Sequence, residues 1–146
     1  MSTDTTNNST SHNHNARILD LTADPSTVFY IHPSDTTAQS FVSEKFEGEN
    51  FINWKSSMII GLSTKNKMCF VDGSQPQPSP TDPTYQAWIR CNDIVRGWIL
   101  KSLGPVIAKS VFFFKTAKEM WQNMEERYGQ TSSTQLFAIQ EEIATI

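Results

Sequence analysis

After residue 50 the apolar side chains recur every three to four residues, which is the periodicity of helices with one buried face. The first stretch predicts a helix over 51–64 that follows Asn50, a residue type that caps helix N-termini. The positive charge of Lys65-Asn66-Lys67 suits the carbonyl end of the helix dipole. The predicted buried stripe of this helix consists of Phe51, Trp54, Met58 and Leu62.

The second helical pattern is the widest and predicts a central helix. Asp82 is placed to cap it, with Pro83 at the first helical position. Gly104-Pro105 ends it and starts a short helix over 106–111, which is followed by three consecutive phenylalanines, 112–114. One face of the central helix combines Tyr85, Trp88, Asn92, Val95, Ile99 and Leu103, and Ile89, Trp98 and Leu100 widen it.

Two further helices are predicted toward the C-terminus. Thr116 and Glu119 form a capping box, and Gly129 is placed to end the helix that follows. Its apolar repeat contains Ala117, Met120, Trp121, Met124 and Tyr128. A last helix begins near Ser132 or Ser133 and carries Leu136, Ile139, Ile143 and Ile146 on one face. Because nothing caps this stripe, we expect the folding unit to continue beyond Ile146 in a longer precursor.

The remaining segments predict irregular structure. Residues 1–27 are expected to be a disordered polar tail, because the largely polar composition buries too little apolar surface to offset the entropy of ordering. An extended arm follows, with Tyr30 and Ile31 as anchors, and Pro33 favours extended geometry before it. A brief strand is expected over 41–46.

Residues 68–71 should also be extended and should end at the turn pair Asp72-Gly73. Prolines at alternate positions make 75–83 a stiff linker. The predicted fold class is therefore all-α: a small bundle of about five helices with a tail and an arm, and with room for one short β-hairpin. The segments flanking the linker are 28–74 and 84–146.

Charge is unevenly distributed along the chain. Residues 1–49 hold seven acidic and two basic side chains, whereas 50–146 hold eight acidic and ten basic, for a formal net charge of −3. Neither part is the basic stripe that strong phosphate binding needs. A modest basic surface remains an alternative to plain solubility, and its members would be Lys65, Lys67, Lys101, Lys109, Lys115 and Lys118.

The chain shows no residue constellation that would support catalysis. All three histidines lie in the tail and arm. Cys91 lies in the predicted central helix and Cys69 in the predicted extended run, both away from the histidines. Two cysteines are too few for a structural zinc site and are expected to be small buried thiols. We therefore expect no enzyme activity, no cofactor, no metal and no small-molecule substrate. Isolated Gly61 and Gly97 indicate close packing against the helices.

No apolar run approaches the roughly 20 residues of a membrane span. The N-terminus lacks the basic and apolar regions of a signal peptide. We expect a cytoplasmic or nuclear setting, no secretion and no membrane partner.

An ordered series of short elements resembles the N-terminal Gag region of plant copia-type LTR retrotransposons. The series runs from about Phe29 to the C-terminus, roughly four fifths of the chain. Its elements are Tyr30 to Asp35, Phe46 to Trp54, Leu62 to Gly73, Trp88 to Asp93, Ser102-Leu103 with Ile107, Ser110-Val111, Thr116 to Trp121, Arg127 to Gln130 and Gln135 to Ile143.

The resemblance implies a structural polyprotein segment whose family forms virus-like particles around element RNA. It assigns 28–74 to the copia-like N-terminal segment and 84–146 to the Gag-polypeptide segment. The zinc knuckle that such proteins often carry downstream is not in this chain. The leading hypothesis is thus a self-assembling, capsid-type domain of an element or of its truncated remnant. An RNA-binding module, or a host adaptor that binds proteins through the arm or linker, are the alternatives.

The residues expected to form the structural core and to support assembly come from all the predicted helices except the short one. They are Phe51, Trp54, Met58, Leu62, Trp88, Val95, Trp98, Ile99, Leu103, Met120, Trp121, Met124, Tyr128, Leu136 and Ile143.

Overall fold

The all-α prediction is confirmed by a computed structural model that describes residues 20–130. Within that range the chain forms five α-helices and contains no sheet. The helices are α1 (Phe51–Thr64), α2 (Cys69–Asp72), α3 (Tyr85–Lys101), α4 (Pro105–Val111) and α5 (Ala117–Met124). A 3-10 turn over Leu21–Ala23 precedes them, and a π-helical turn over Glu125–Gly129 continues α5. The expected last helix, with Leu136 and Ile143, lies outside the described residues.

Helix α1 spans the expected residues, but its start differs in detail. Asn50 occupies the N-cap position in the left-handed conformation, with φ 60°, and its side chain makes no capping hydrogen bond. Its carbonyl instead accepts from the backbone N–H groups of Asn53 and Trp54. Asparagine tolerates this conformation better than most residues, which explains its presence. The expected apolar stripe of α1 is buried along its whole length.

The expectation of extended structure over 68–71 is wrong, because Cys69–Asp72 forms the one-turn helix α2. Phe70 and Val71 are both buried, and α2 packs against α5. Gly73 ends the turn in the left-handed conformation, with φ 86°. Four apolar residues are too short a run to show a period, so packing decides their conformation.

Helix α3 begins two residues later than expected. Asp82 accepts hydrogen bonds from the backbone N–H and the hydroxyl of Thr84, so Pro83 lies in a turn before the helix. Both bonds lower the pKa of the Asp82 carboxyl, and the bond from the Thr84 hydroxyl has the larger effect. Residues 75–83 contain neither helix nor strand.

Helix α5 begins as expected, at Ala117 after Thr116, and α4 begins at Pro105, one residue before the expected start at 106. The Thr116 hydroxyl accepts the Glu119 backbone N–H and lies 2.8 Å from its carboxylate. Gly129 does not stop the helix, because it keeps negative φ and Gln130 is also right-handed. The π-helical turn instead carries Tyr128 to the ring of Phe46, 4.9 Å away between centroids.

The described residues divide into two compact units, 20–35 with 77–91 and 36–76 with 92–130. Phe29, Ala87, Trp88 and Cys91 are buried in the first unit, and the Cys91 thiol donates to the Phe29 carbonyl. The second unit has the larger core, built around five aromatic rings in mutual contact: Phe46, Phe51, Trp54, Trp121 and Tyr128.

Three expectations about the N-terminal region need correction. The disordered tail does not extend through residue 27, because Thr22 is buried and accepts a hydrogen bond from Arg90. The arm consists of successive turns and not of an extended chain, and its buried side chain is Phe29, whereas Tyr30 and Ile31 are only half-buried. No strand forms over 41–46; Phe46 makes a single parallel bridge to Leu103.

Gly61 and Gly97 do allow close packing, as expected, but what packs on them is the segment 36–41 rather than another helix. A Cβ on Gly61 would overlap the ring of Phe41, and one on Gly97 would overlap the side chain of Thr37. The Trp98 indole N–H also donates to the Thr36 carbonyl at 2.7 Å. Two glycines on two helices therefore fix the path of this segment.

Candidate assembly surface

Helix α4 buries one side and leaves the other uncovered. Its sequence, Pro-Val-Ile-Ala-Lys-Ser-Val, places Ile107 and Val111 four residues apart on one face, and both are buried. Val106 lies on the other face, with 80% of its surface exposed. The same face ends in the exposed side chain of Lys109.

The turn after α4 presents two more apolar side chains. Phe112 and Phe113 are exposed to 65% and 69%, whereas Phe114 is half-buried and contacts Phe113 with the rings tilted and 4.5 Å between their centroids. The three phenylalanines in a row were the sequence signal for this feature, but their pattern alone does not say which ring is buried.

This turn is held in place by polar side chains of α3. The Arg96 guanidinium donates to the carbonyls of Phe114, at 3.1 Å, and Phe112, at 3.3 Å. The Asn92 amide donates to the Lys115 carbonyl at 2.9 Å. The exposed phenyl rings therefore stand on an anchored backbone. A fixed apolar surface loses less conformational entropy on binding than a mobile one.

The stretch that contains α4 and the turn is basic. From Lys101 to Lys118 the sequence holds four lysines and no acidic residue. All four are exposed: Lys101, Lys109, Lys115 and Lys118. The expected wider basic surface is wrong for Lys67, which is buried and directs its ammonium group toward the Lys65 carbonyl.

A segment of net negative charge, with three glutamates and one exposed lysine, Lys45, lies at the other end of α4. Glu44, Glu47 and Glu49 are exposed, and Phe46 between them is tied to the end of α3 by backbone hydrogen bonds to Ser102 and from Gly104, both 2.9 Å. The Glu47 carboxylate lies against Gly104, so closely that a Cβ there would overlap it. A shallow pocket of about 160 Å³ opens beside this segment, lined mainly by polar side chains that include Glu44, Glu49 and Asn53.

The core and assembly residues expected from the sequence lie mostly in the interior. Tyr128 is half-buried, and Leu136 and Ile143 fall outside the described residues. The others are buried: Trp88 in the first unit, and Phe51, Trp54, Met58, Leu62, Val95, Trp98, Ile99, Leu103, Met120, Trp121 and Met124 in the second. Any role of these residues in assembly stays a prediction, because the exposed apolar side chains are different ones.

The described residues form neither a metal-binding cluster nor a site with an activated cysteine. No group of three or more His, Cys, Asp or Glu side chains in residues 20–130 is arranged to hold a metal ion. Burial, aided by Asp72, raises the pKa of the Cys69 thiol against the opposing effect of Lys67. A reactive cysteine needs the opposite shift. Among the helices described, none is long and apolar enough to cross a membrane.

Residues 20–130 thus form an all-α fold with an anchored, exposed aromatic turn. Residues 32–79, about a third of the chain, match the family described as the Gag-polypeptide of LTR copia-type. The expected resemblance is confirmed over this range, in which the chain is similar to that family. The match contains the elements at 32–35, 46–54 and 62–73, whereas the resemblance beyond residue 79, like the division into 28–74 and 84–146, stays a prediction. Comparisons with curated proteins and with solved structures gave no match.

Proposed function

We propose that the chain is a non-enzymatic, Gag-derived structural protein whose helical body associates with further copies of itself. It would act as a capsid-type domain of a plant copia-type retrotransposon, or of a truncated remnant, in the cytoplasm or nucleus. The family match supports the Gag origin. The observation that carries the self-association is the anchored turn with exposed Phe112 and Phe113, together with exposed Val106 on the helix before it.

The size of this surface argues for a partner. Single exposed apolar side chains are common, but these three lie within eight residues on one short helix and the turn that follows it. Full burial of a large apolar side chain is worth about 1.5–3 kcal/mol. Three such side chains could therefore offset a substantial part of the entropy lost on association, and Arg96 and Asn92 already hold the turn in position.

The test compares the self-association of the full chain with that of a variant carrying Phe112→Ser and Phe113→Ser. Sedimentation velocity from low to several hundred micromolar should show concentration-dependent oligomers of the unchanged chain, and a loss of affinity of at least about tenfold in the variant. Ile60→Ser is the matched control. Ile60 is 68% exposed, as the two phenylalanines are, but lies on α1. A chain that stays monomeric throughout this range would refute the proposal.

RNA binding is the second candidate, and it has a specific observation in its favour. Exposed aromatic rings beside lysines are the usual elements of single-strand binding, in which bases stack on the rings. The stretch from Lys101 to Lys118 offers both. Gel shifts with single-stranded RNA at low salt decide this: a complex that weakens steeply with salt supports RNA binding, and its absence removes this candidate.

A further inference from the structure

The two ends of α4 carry opposite charge. We define the basic end as Lys109, Phe112, Phe113 and Lys115, and the acidic end as Glu44, Glu47 and Glu49 with Val106. Each end combines charged and apolar exposed side chains. All five charged side chains are exposed, and that of Glu47 also packs against Gly104. Within residues 20–130 none of the five takes part in an ion pair within 4.0 Å.

The two ends are also held apart. The acidic end is fixed beside Gly104 by the backbone bonds of Phe46 and by the packing of Glu47. The basic end is fixed by Arg96 and Asn92 beyond Val111. The two anchored positions, Gly104 and Phe112, flank the seven residues of α4, about 10 Å of helix axis, and Val106 and Lys109 lie between them. Within residues 20–130 no ion pair within 4.0 Å joins the two ends of one copy.

We infer that the basic end of one copy docks on the acidic end of a second copy. The inference rests on the proposed self-association and names its geometry. Lys109 and Lys115 would face Glu44 and Glu49, and the two phenyl rings would cover Val106 of the second copy. Because the two surfaces differ, the contact joins unlike ends. It forms once per neighbour in a head-to-tail ring or filament, and twice in a two-fold dimer in which each copy contributes both ends.

Charge complementarity favours a second copy over a lipid surface. An anionic membrane would attract the basic end, but it would repel the acidic end, whose anchor Gly104 lies about 10 Å along α4 from Phe112, close to the Debye length at 0.1 M salt. A second copy uses both ends. It also gives Val106 an apolar partner. A membrane contact through the phenylalanine turn alone would leave Val106 in water.

The experiment reverses selected charges at the two ends, in the full-length chain. One variant carries Lys109→Glu and Lys115→Glu, another carries Glu44→Lys and Glu49→Lys, and a third carries all four substitutions. Glu47 is left unchanged because its carboxylate packs against Gly104. The matched control for the lysine variant is Lys101→Glu with Lys118→Glu, which changes the net charge equally while keeping Lys109 and Lys115.

Each two-site variant alone should lose affinity for itself by about tenfold or more, because like charges then face each other. An equimolar mixture of the two, and the four-site variant alone, should recover the association of the unchanged chain. The control variant should associate as the unchanged chain does. If the two-site variants associate normally, or if neither the mixture nor the four-site variant recovers, the contact between unlike ends is wrong although self-association stands.

Carbodiimide cross-linking of the unchanged chain provides a test that needs no variant. Mass spectrometry of the covalent dimer should find amide bonds from Lys109 or Lys115 to Glu44 or Glu49, and cross-links confined to other pairs would overturn the inference. A chain that is monomeric but sediments with phosphatidylserine vesicles would overturn both the inference and the proposed self-association.

Discussion

At the scale of single residues, Asn92 shows how a polar side chain can be required inside an apolar face. It stands among the large apolar residues of α3 and is only 2% exposed. Its amide nitrogen donates to the Lys115 carbonyl and its amide oxygen accepts from the Ala117 backbone N–H, both at 2.9 Å. Ala117 is the first residue of α5, so one side chain satisfies a helix start and fixes the turn before it.

Replacing Asn92 by Ala should therefore destabilise the protein by about 2–3 kcal/mol, because one buried and one partly buried backbone group lose their partners. Urea unfolding followed by tryptophan fluorescence measures this change in the free energy of unfolding. The control is Asn53→Ala, which removes an exposed amide on α1 and should change stability by less than about 0.5 kcal/mol. Equal effects of the two substitutions would contradict the role assigned to Asn92.

The periodicity of the sequence placed Asn92 on the buried face but could not supply the reason. Its partners lie 23 and 25 residues away, and only the packing of α3 beside α5 brings them together. The same limit applies to the tryptophans. Their burial follows from helical spacing, whereas the hydrogen bond from the Trp54 indole to the Ser102 hydroxyl, 48 residues away, does not.

At the scale of elements, helix limits were predictable where a local signal sets them. The Thr116 capping box and the Gly104-Pro105 pair each act within a few residues, and both helices begin where these signals stand. The one-turn helix α2 and the π-helical turn at Glu125–Gly129 have no such signal. Burial of Phe70 and Val71 determines the first, and the second accompanies the contacts of Tyr128 with Phe46 and Phe51.

The cap of α5 offers a test at this scale. An isolated helix of eight residues is unstable in water, so α5 depends on its cap and on its buried face. Thr116→Ala should lower the free energy of unfolding by about 1 kcal/mol, because the Glu119 N–H loses its acceptor. Thr116→Ser keeps the hydroxyl and should retain most of the stability in the same urea experiment. A serine variant as unstable as the alanine variant would show that the hydroxyl is not what matters.

At the scale of the whole molecule, the surface could be predicted only in part from the sequence. The excess of acid before residue 50 and the four lysines between 101 and 118 are visible in the chain. What the sequence does not show is that α4 separates the two charged segments, because this arrangement depends on the Phe46–Leu103 bridge and on the Arg96 contacts. The apolar residues expected to support assembly are mostly internal, because the apolar stripe of a helix packs into the core of its own chain.

The balance between charged and apolar contributions to self-association can be measured by its dependence on salt. If pairs between the basic and acidic ends contribute most, raising sodium chloride from about 0.05 to 0.5 M should weaken the association severalfold, because the Debye length falls from more than 10 Å to less than 5 Å. If burial of Phe112 and Phe113 contributes most, the affinity should stay level or rise, since salts do not screen apolar contacts. Sedimentation equilibrium at the two salt concentrations distinguishes these cases. The four-site charge exchange should reproduce the salt dependence of the unchanged chain, because it keeps the same number of Lys–Glu pairs between copies. A four-site variant whose association does not depend on salt would show that other charges are responsible.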